Sequence, residues 1–435
     1  MVFRGSMMEL LGFGGSQVLR LAGNLVLSRL LFPEAFGLSA SVSVFLTGLQ
    51  LLSDVGLEPS VVQNERGADR RFLDTVWTFQ IVRGIALAVM AVALAFPAAA
   101  LYREPQLAPL MAVAALSPLL AGFNSTAIYV LRRDVRLGPL VALEVAARAS
   151  GLAVMIAWAW WRPSVWALVG GGLVDAVVSL VLSHRLPAAG RDRIGWDADA
   201  ARAVVRFGKW IFLSSGVFFF GRQGDRLLLG QFLGMRILGI YNIALFLSDA
   251  VGMAINRVTH GVFFPVFSRA ARDGPERLRD VYYAARLRTD LLAVPALGGL
   301  CVLGDDVVRL LYDARYAEAG WILQALCLRV AMSCVLDPCE TCLFALGHTR
   351  YGFLSNVAMT AWIWIAIPVG WWLAGLEGLV LATSLSGVPI LATLWPAFRR
   401  LGLLRLEREA IAVLGFAAGA GLGALVQLGL EALRG

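Results

Sequence analysis

Two stretches of this sequence place arginines inside otherwise apolar runs. One is "RLAGNLVLSRLLFPEAFG", from Arg20 to Gly37, and the other is "RQGDRLLLGQFLGMRILG", from Arg222 to Gly239. They align without a gap at an offset of 202 residues, which pairs Arg20 with Arg222. An arginine at the middle of a membrane helix costs about 2.5–3.5 kcal/mol. Each of these guanidinium groups must therefore face a polar partner or a water-filled cavity.

The same argument applies to the other charged side chains within the apolar runs. Gln17, Arg20 and Asn24 fall on one helical face, and Glu144 and Arg148 stand at i,i+4 spacing. The candidate substrate-binding residues are Arg20, Asn24, Arg222, Arg226, Arg83, Arg148, Arg257 and Arg329. The candidate ion-coupling or salt-bridge residues are Asp225, Asp249, Asp175 and Asp54. The alternative for any one arginine is an interhelical salt bridge that only stabilises the bundle.

Composition places the chain among polytopic membrane proteins. Of its 435 residues, 59% are hydrophobic and 16% are charged, whereas soluble domains have about 25% charged residues. The net charge of +8 sits in short gaps between apolar runs, a distribution that argues against nucleic-acid binding. The first apolar run continues through Leu31 without a small-residue cleavage site, so we expect a retained helix rather than a signal peptide.

Thirteen apolar runs are long enough to cross a hydrocarbon core about 30 Å thick, which needs ~20 residues. They are too long and continuous for barrel strands, so the prediction is an all-α protein. The predicted spans are Leu10–Phe32, Ala35–Val61, Leu73–Leu101, Leu107–Leu131, Leu137–Trp160, Val165–Ser183, Trp210–Leu233, Leu238–Phe267, Leu287–Leu311, Ala319–Leu346, Tyr351–Ala374, Leu376–Phe398 and Ile411–Ala432.

The basic residues of the connectors predict the orientation. Connectors on the side of the N-terminus hold 24 Lys and Arg residues, and those on the other side hold 7. Because short basic loops stay cytoplasmic, the N-terminus is predicted to be cytoplasmic. The cytoplasmic stretch Asp273–Arg288 spaces Leu278, Tyr282 and Ala285 on one face, which predicts an interfacial amphipathic helix. Its role would be a surface strut or a gate.

The repeat predicts two six-helix halves and one additional helix. We place the halves at residues 1–203 and 204–402, with the longest hydrophilic connector between them, and the additional transmembrane helix at 403–435. Because six helices separate the repeated stretches, both halves have the same orientation in the membrane. Gly415, Gly419 and Gly423 allow the last helix to pack closely against its own core or, alternatively, against a second copy.

Four stretches resemble signature segments of a known family. They are "NLVLSRLLFPEAFGLSASVSVF", "LLSDVGLEPSVVQ", "DRLLLGQFLGMRILGIYNIA" and "FFPVFSRAARDGPERL". They look like the polysaccharide-transport (Wzx-type) branch of the multidrug/oligosaccharidyl-lipid/polysaccharide exporter (MOP) superfamily. The resemblance covers the first twelve predicted helices. It implies a MATE-like pair of six-helix lobes in a V shape.

The resemblance also implies a function and its partners. The expected activity is a flippase that moves polyprenyl-pyrophosphate-linked oligosaccharide repeat units across the bacterial inner membrane by alternating access, for O-antigen, capsule or exopolysaccharide. This anionic cargo suits arginine, which binds phosphate through two parallel hydrogen bonds and stays charged. Expected partners are the lipid-linked glycan, membrane lipids and a polysaccharide polymerase. We expect a monomer, with a homodimer as the alternative.

Two other functions remain open at the level of sequence. A drug/cation antiporter of the same superfamily would need uncompensated cavity carboxylates, for which Asp54, Asp175 and Asp249 are available. A polytopic polysaccharide polymerase or acyltransferase would carry catalytic residues on a sizeable extracytoplasmic loop, whereas each predicted outside connector is short.

Motifs for nucleotide or metal chemistry are not found in the sequence. It contains no GxxxxGK[ST] motif, and its single lysine is Lys209. Cys339 and Cys342 form a CxxC inside a predicted membrane helix, and the three histidines lack ligand spacing. We therefore expect no enzyme activity, no cofactor and no metal.

Overall fold

The structure, a computed structural model, consists of helices and the connectors between them, without a strand in the residues that it describes. These are residues 2–53, 56–187, 190, 192–258 and 263–434, with side chains described for all except 2–13, 203–218, 222, 254–258, 433 and 434. The α-helices along this part of the chain are α1 (Val2–Leu30), α2 (Pro33–Leu52), α3 (Leu57–Gln63), α4 (Arg70–Tyr102), α5 (Leu107–Ala114), α6 (Leu116–Gly122), α7 (Ala127–Arg133), α8 (Leu137–Trp161), α9 (Val165–Ser183), α10 (Ala198–Val258), α11 (Phe264–Ala270), α12 (Pro275–Leu311), α13 (Ala319–Ala345), α14 (Arg350–Ser384), α15 (Gly387–Arg400) and α16 (Leu406–Arg434).

The prediction of an all-α polytopic membrane protein is confirmed. Within the described ranges, nine helical segments are long and apolar enough to span a bilayer, or ten if α5–α7, bent by 59°, form one span. Two of these segments each contain parts of two predicted spans, because α10 continues through a break at Gly234 and α14 through one at Ala374–Gly375. Gly234 and Gly375 have φ of 74° and 57°, conformations that glycine adopts without the steric cost of a Cβ. Helical geometry is lost at each break, so α10 and α14 each consist of two helices that meet at a kink.

The helices form two compact units. The first, unit 1, comprises the chain up to Phe219 together with Gly230–Leu238. The second, unit 2, comprises Phe220–Leu229 and the chain from Gly239 onward. Helix α10 thus contributes to both units, and the segment around its break at Gly234 packs within unit 1, where Met235 lies against Gly37 of α2.

In unit 1, the connector that precedes α10 lies along the start of α4 and the bend between α6 and α7. The Asp192 carboxylate accepts hydrogen bonds from the hydroxyls of Ser125 at 2.7 Å and Thr126 at 2.5 Å. Trp196 stacks on Phe79 of α4 with ring centroids 5.3 Å apart. These contacts anchor the connector to unit 1.

Asp197 ends this connector and caps α10. Its carboxylate accepts hydrogen bonds from the backbone N–H groups of Asp199 and Ala200, each at 2.9 Å, and pairs with Arg66 at 3.2 Å. The bond from Ala200, followed by the one from Arg66, holds the pKa of the Asp197 carboxyl below its usual value. The cap therefore keeps its negative charge at the positive end of the helix dipole.

In unit 2, the amphipathic stretch Asp273–Arg288 is continuous with the next membrane span. Pro275 begins α12, which runs for 37 residues to Leu311. The predicted apolar face packs against protein, since Leu278 and Tyr282 are buried in a cluster with side chains of α13 and α15. The stretch thus forms the N-terminal part of one long helix rather than a separate helix at the lipid surface.

Helix α16, the additional helix, packs against α12 through glycines on both helices. A Cβ at Gly419 would overlap the backbone carbonyl of Pro295, and one at Gly423 would lie 3.0 Å from the carbonyl oxygen of Gly299. Small residues allow this close approach of two backbones, which in lipid is a main source of helix association. Packing of the glycine stripe within its own chain is therefore confirmed.

A buried ion cluster joins the same two helices. The Arg286 side chain is fully buried, and its Nε donates to Asp290 at 2.8 Å. Its Nη1 donates to the Glu409 carboxylate at 2.8 Å and to the Tyr282 hydroxyl at 2.9 Å, and its Nη2 lies 2.7 Å from the second Glu409 oxygen. Glu409 belongs to α16, so this ion pair joins α16 to α12.

The glycine contact between α12 and α16 can be tested with a matched pair of variants. Gly419→Leu should lower the melting temperature of the purified protein, because the new side chain meets the Pro295 backbone, and overpacking of this kind costs about 1–3 kcal/mol. Gly421→Leu is the control, since nothing lies within 4 Å of a Cβ at Gly421. Equal melting temperatures for the two variants would contradict the packing described.

The buried cluster makes a second prediction. Arg286→Gln leaves Asp290 and Glu409 buried without their counter-charge, and breaking such a pair costs about 3–5 kcal/mol. We expect a large loss of folded protein in size-exclusion chromatography and a lower melting temperature. Arg288→Gln, which changes an exposed arginine on the same helix, should behave like the unmodified chain. If the two variants are equally stable, the cluster has no structural role.

Candidate functional site

The predicted site residues divide between the two units. Arg222 and Arg257 belong to α10, but their side chains lie outside those that the structure describes, and Asp54 lies outside the described residues altogether. The others are Arg20, Asn24, Arg83, Arg148 and Asp175 in unit 1, and Arg226, Asp225, Asp249 and Arg329 in unit 2.

In unit 1, a glycine contact brings the polar face of α1 next to α8. A Cβ at Gly23 would lie 2.5 Å from Leu152, so the two helices touch at this point. Arg20 and Asn24 flank Gly23 and are half-buried. An odd number of predicted spans lies between α1 and α8, so both helices cross in the same direction. Arg20 and Arg148 each precede the contact by about one turn, ~5 Å along the axis, and stand at the same level.

Helix α9 adds Asp175 to this level. A Cβ at Gly151 of α8 would lie 2.7 Å from the Gly171 carbonyl oxygen and 3.0 Å from the Asp175 Cβ. The close approach fixes Asp175 beside α8, one turn from Arg148. The charges of Arg148 and Glu144 both act on its carboxylate.

Arg148 has no close partner in the part of the chain that the structure describes. No carboxylate there lies within 4.0 Å of its guanidinium, and it donates no hydrogen bond to a described residue. The predicted pairing of Glu144 with Arg148 does not close into a salt bridge. A half-buried guanidinium within a membrane span is thus left able to bind an anion.

Arg83 differs from Arg148, because it is bound at the end of a helix. Its Nη2 donates to the Gln50 carbonyl at 2.8 Å and its Nε to the Ser53 hydroxyl at 3.0 Å. These acceptors lie at the C-terminal end of α2, where carbonyl groups lack partners within the helix and a cation is favourable. These contacts show that Arg83 caps the C-terminal end of α2.

In unit 2, the charged side chains are joined to one another. Arg329 of α13 pairs with Asp249 of α10 at 2.6 Å. Asp225 is buried, and its carboxylate accepts a hydrogen bond from the fully buried Tyr241 hydroxyl at 2.9 Å. The charges of Asp249 and Asp225 both act on Arg329. This arrangement corresponds to the interhelical salt bridge that the sequence left open as an alternative.

Arg226 is bound to a neutral group. Its Nη1 donates to the Gln223 side-chain oxygen at 2.8 Å, while its buried Nε has no hydrogen-bond partner in the described chain. Asp225 is adjacent in sequence but accepts the Arg226 backbone N–H instead of its guanidinium. The Arg226 charge is therefore not neutralised by a close carboxylate among the described residues.

Sequence reasoning missed two contributors to these polar groups. Tyr241 reads as an ordinary aromatic residue in an apolar run, and only its position beside Asp225 reveals its role. Arg286 was counted among the cytoplasmic basic residues, although its i,i+4 spacing to Asp290 was a usable signal. In each case one partner lies beyond the local helical turn, since Asp225 is 16 residues from Tyr241 and Glu409 is 123 residues from Arg286.

No cluster of three or more metal-ligating side chains occurs among the described residues. The CxxC cysteines, Cys339 and Cys342, are buried free thiols on α13. They pack in the apolar cluster of unit 2 together with Tyr282 and Leu343. Their position is that of core residues.

The sequence matches a known family over most of its length. Residues 26–320 match the family described as polysaccharide biosynthesis protein. The chain is also similar to the lipopolysaccharide biosynthesis protein WzxC of Escherichia coli (strain K12), with 25% identity over 357 residues, covering 82% of this chain and 72% of that protein.

Solved structures show the same fold. The lipid II flippase MurJ, in an inward closed conformation, superposes with a TM-score of 0.71 at 12% identity, covering 98% of this chain and all of that one. A multidrug resistance MATE family transporter of the MOP superfamily superposes with a TM-score of 0.69 at 14% identity, covering 89% and 94% of the two chains. The predicted MATE-like fold is confirmed. The family match shows that the chain belongs to the polysaccharide biosynthesis protein family, and its likeness to WzxC and to these two folds agrees with the predicted Wzx-type branch of the MOP superfamily.

Proposed function

We propose that this protein is a flippase for polyprenyl-pyrophosphate-linked oligosaccharide repeat units, working by alternating access in the bacterial inner membrane with a cytoplasmic N-terminus. The observation that carries the proposal is the Arg148 guanidinium, which lies within a membrane span and has no carboxylate within 4.0 Å in the described chain. A pyrophosphate group supplies the acceptors that this guanidinium lacks.

The family membership narrows the range of possible functions. Its description places the chain in polysaccharide biosynthesis, and the fold is that of membrane exporters. A protein that takes part in polysaccharide biosynthesis and has the fold of an exporter is best explained as moving a glycan precursor across the membrane rather than synthesising it. The superposed MurJ is named a lipid II flippase, and a lipid-linked glycan is the corresponding cargo that we propose for this chain.

The choice of binding residues rests on the partners that each arginine already has in the structure. Arg329 is already paired with Asp249, and Arg83 is bound at the end of α2. Arg148 in unit 1 and Arg226 in unit 2 keep guanidinium N–H groups without a carboxylate acceptor. We propose these two as the principal anion-binding groups. Arg20 and Asn24, on the polar face of α1 next to α8, are proposed to contribute further contacts. Arg222 and Arg257 remain candidates from the sequence.

The antiporter alternative is less well supported. A site for cationic drugs requires carboxylates without a counter-charge. Asp249, one of the three carboxylates available for it, forms an ion pair with Arg329. Asp175 stands in the field of Arg148, which opposes cation binding. These two carboxylates are therefore less available to a cationic drug.

Replacement of Arg148 tests the proposal directly. Arg148→Gln should reduce export of lipid-linked glycan by tenfold or more in cells that lack the native gene copy, because the phosphate loses its cationic partner. A charged hydrogen bond is worth about 1.5–3 kcal/mol, which corresponds to this range. Arg148→Lys, which keeps the charge without the fork, should be intermediate.

Two controls accompany this measurement. Arg400→Gln changes an exposed arginine at the end of α15 and should leave export unchanged. The melting temperature of Arg148→Gln should equal that of the unmodified protein, since the side chain makes no hydrogen bond to a described residue. Export at the unmodified rate by Arg148→Gln would refute the proposal.

A further inference from the structure

Asp175 is an unexpected neighbour for an anion-binding arginine. A carboxylate near Arg148 repels any phosphate that binds there. Moreover, an aspartate at membrane depth is itself unfavourable unless it has a partner or a task. Its position therefore calls for an explanation beyond the flippase activity on which this inference rests.

The structure holds Asp175 near Arg148 but does not let the two pair. The Asp175 Cβ is fixed against α8 by the close approach of Gly171 to Gly151. Even so, the two side chains form no salt bridge within 4.0 Å, and Asp175 accepts no hydrogen bond from a described residue. Arg329 and Asp249, in contrast, close to 2.6 Å.

The separation has an electrostatic consequence. At an effective dielectric of about 20, two unit charges ~7 Å apart still interact strongly enough to change a binding constant tenfold or more. Asp175 is half-buried and Glu144 is exposed, so solvent screens Glu144 more. Of these two carboxylates, Asp175 therefore acts more strongly on an anion bound at Arg148.

We propose that Asp175 is a release residue, which weakens the hold of Arg148 on the anionic group of the cargo so that the cargo can leave. A transporter must bind its cargo well enough to capture it and weakly enough to let it go. A guanidinium in a low-dielectric site with no carboxylate near it would hold pyrophosphate too tightly. The fixed carboxylate opposes this attraction without occupying the site.

The test measures binding of inorganic pyrophosphate to the purified full-length protein. Asp175→Asn keeps the shape of the side chain and removes its charge. We expect the variant to bind pyrophosphate about tenfold more tightly or better, with a smaller difference at high salt. Adding Arg148→Gln to Asp175→Asn should abolish the gain. Glu104→Gln, in the connector between α4 and α5, is the control and should not change affinity.

Transport kinetics separate this role from a structural one. In vesicles, Asp175→Asn should lower both KM and kcat for lipid-linked glycan, because the cargo is held longer. Unchanged pyrophosphate affinity in Asp175→Asn, or a gain that survives Arg148→Gln, would overturn the proposal. If Arg148→Gln alone weakens pyrophosphate binding while Asp175→Asn has no effect, only the release role fails. If Arg148→Gln alone leaves binding unchanged, the flippase site itself is wrongly placed.

Discussion

The structure depends on how a guanidinium is accommodated where hydrocarbon offers it no hydrogen bonds. Charged groups in a bilayer are tolerated when they have a counter-charge, a backbone carbonyl or water. Arg286 has a counter-charge within a buried cluster, and Arg83 binds a backbone carbonyl at the end of α2. Arg148 has neither a close counter-charge nor a bound carbonyl among the described residues. That difference is the basis for proposing Arg148 as an anion-binding residue.

The carboxylates that were predicted as site residues have different surroundings in the two units. In unit 2, Arg329 with Asp249 and Asp225 with Tyr241 form closed contacts, which stabilise the helices that they join. In unit 1, Arg148 and Asp175 stay apart, although the glycines of α8 and α9 bring the backbones together. Glycine packing thus sets the separation of α8 and α9, and at this separation Arg148 and Asp175 form no salt bridge.

Most of the membrane spans could be predicted from the sequence, because ~20 consecutive apolar residues carry the signal locally. The breaks at Gly234 and Ala374–Gly375 were placed within a few residues for the same reason. The partners of charged side chains were harder. The local sequence places Arg286 in a cytoplasmic connector. Its burial could not be predicted, because one of its partners, Glu409, lies 123 residues later in the chain. Likewise, Asp249 and Arg329 are 80 residues apart, and no local pattern reveals such a pair.

The central claim is that arginine recognises the phosphate linkage of the cargo. It is tested most directly by comparing two cargoes in vesicles that contain the purified protein. One carries the natural pyrophosphate linkage, and the other carries the same glycan and lipid tail through an uncharged linker. The account predicts that translocation of the uncharged cargo is at least tenfold slower. Equal rates for the two cargoes would contradict it.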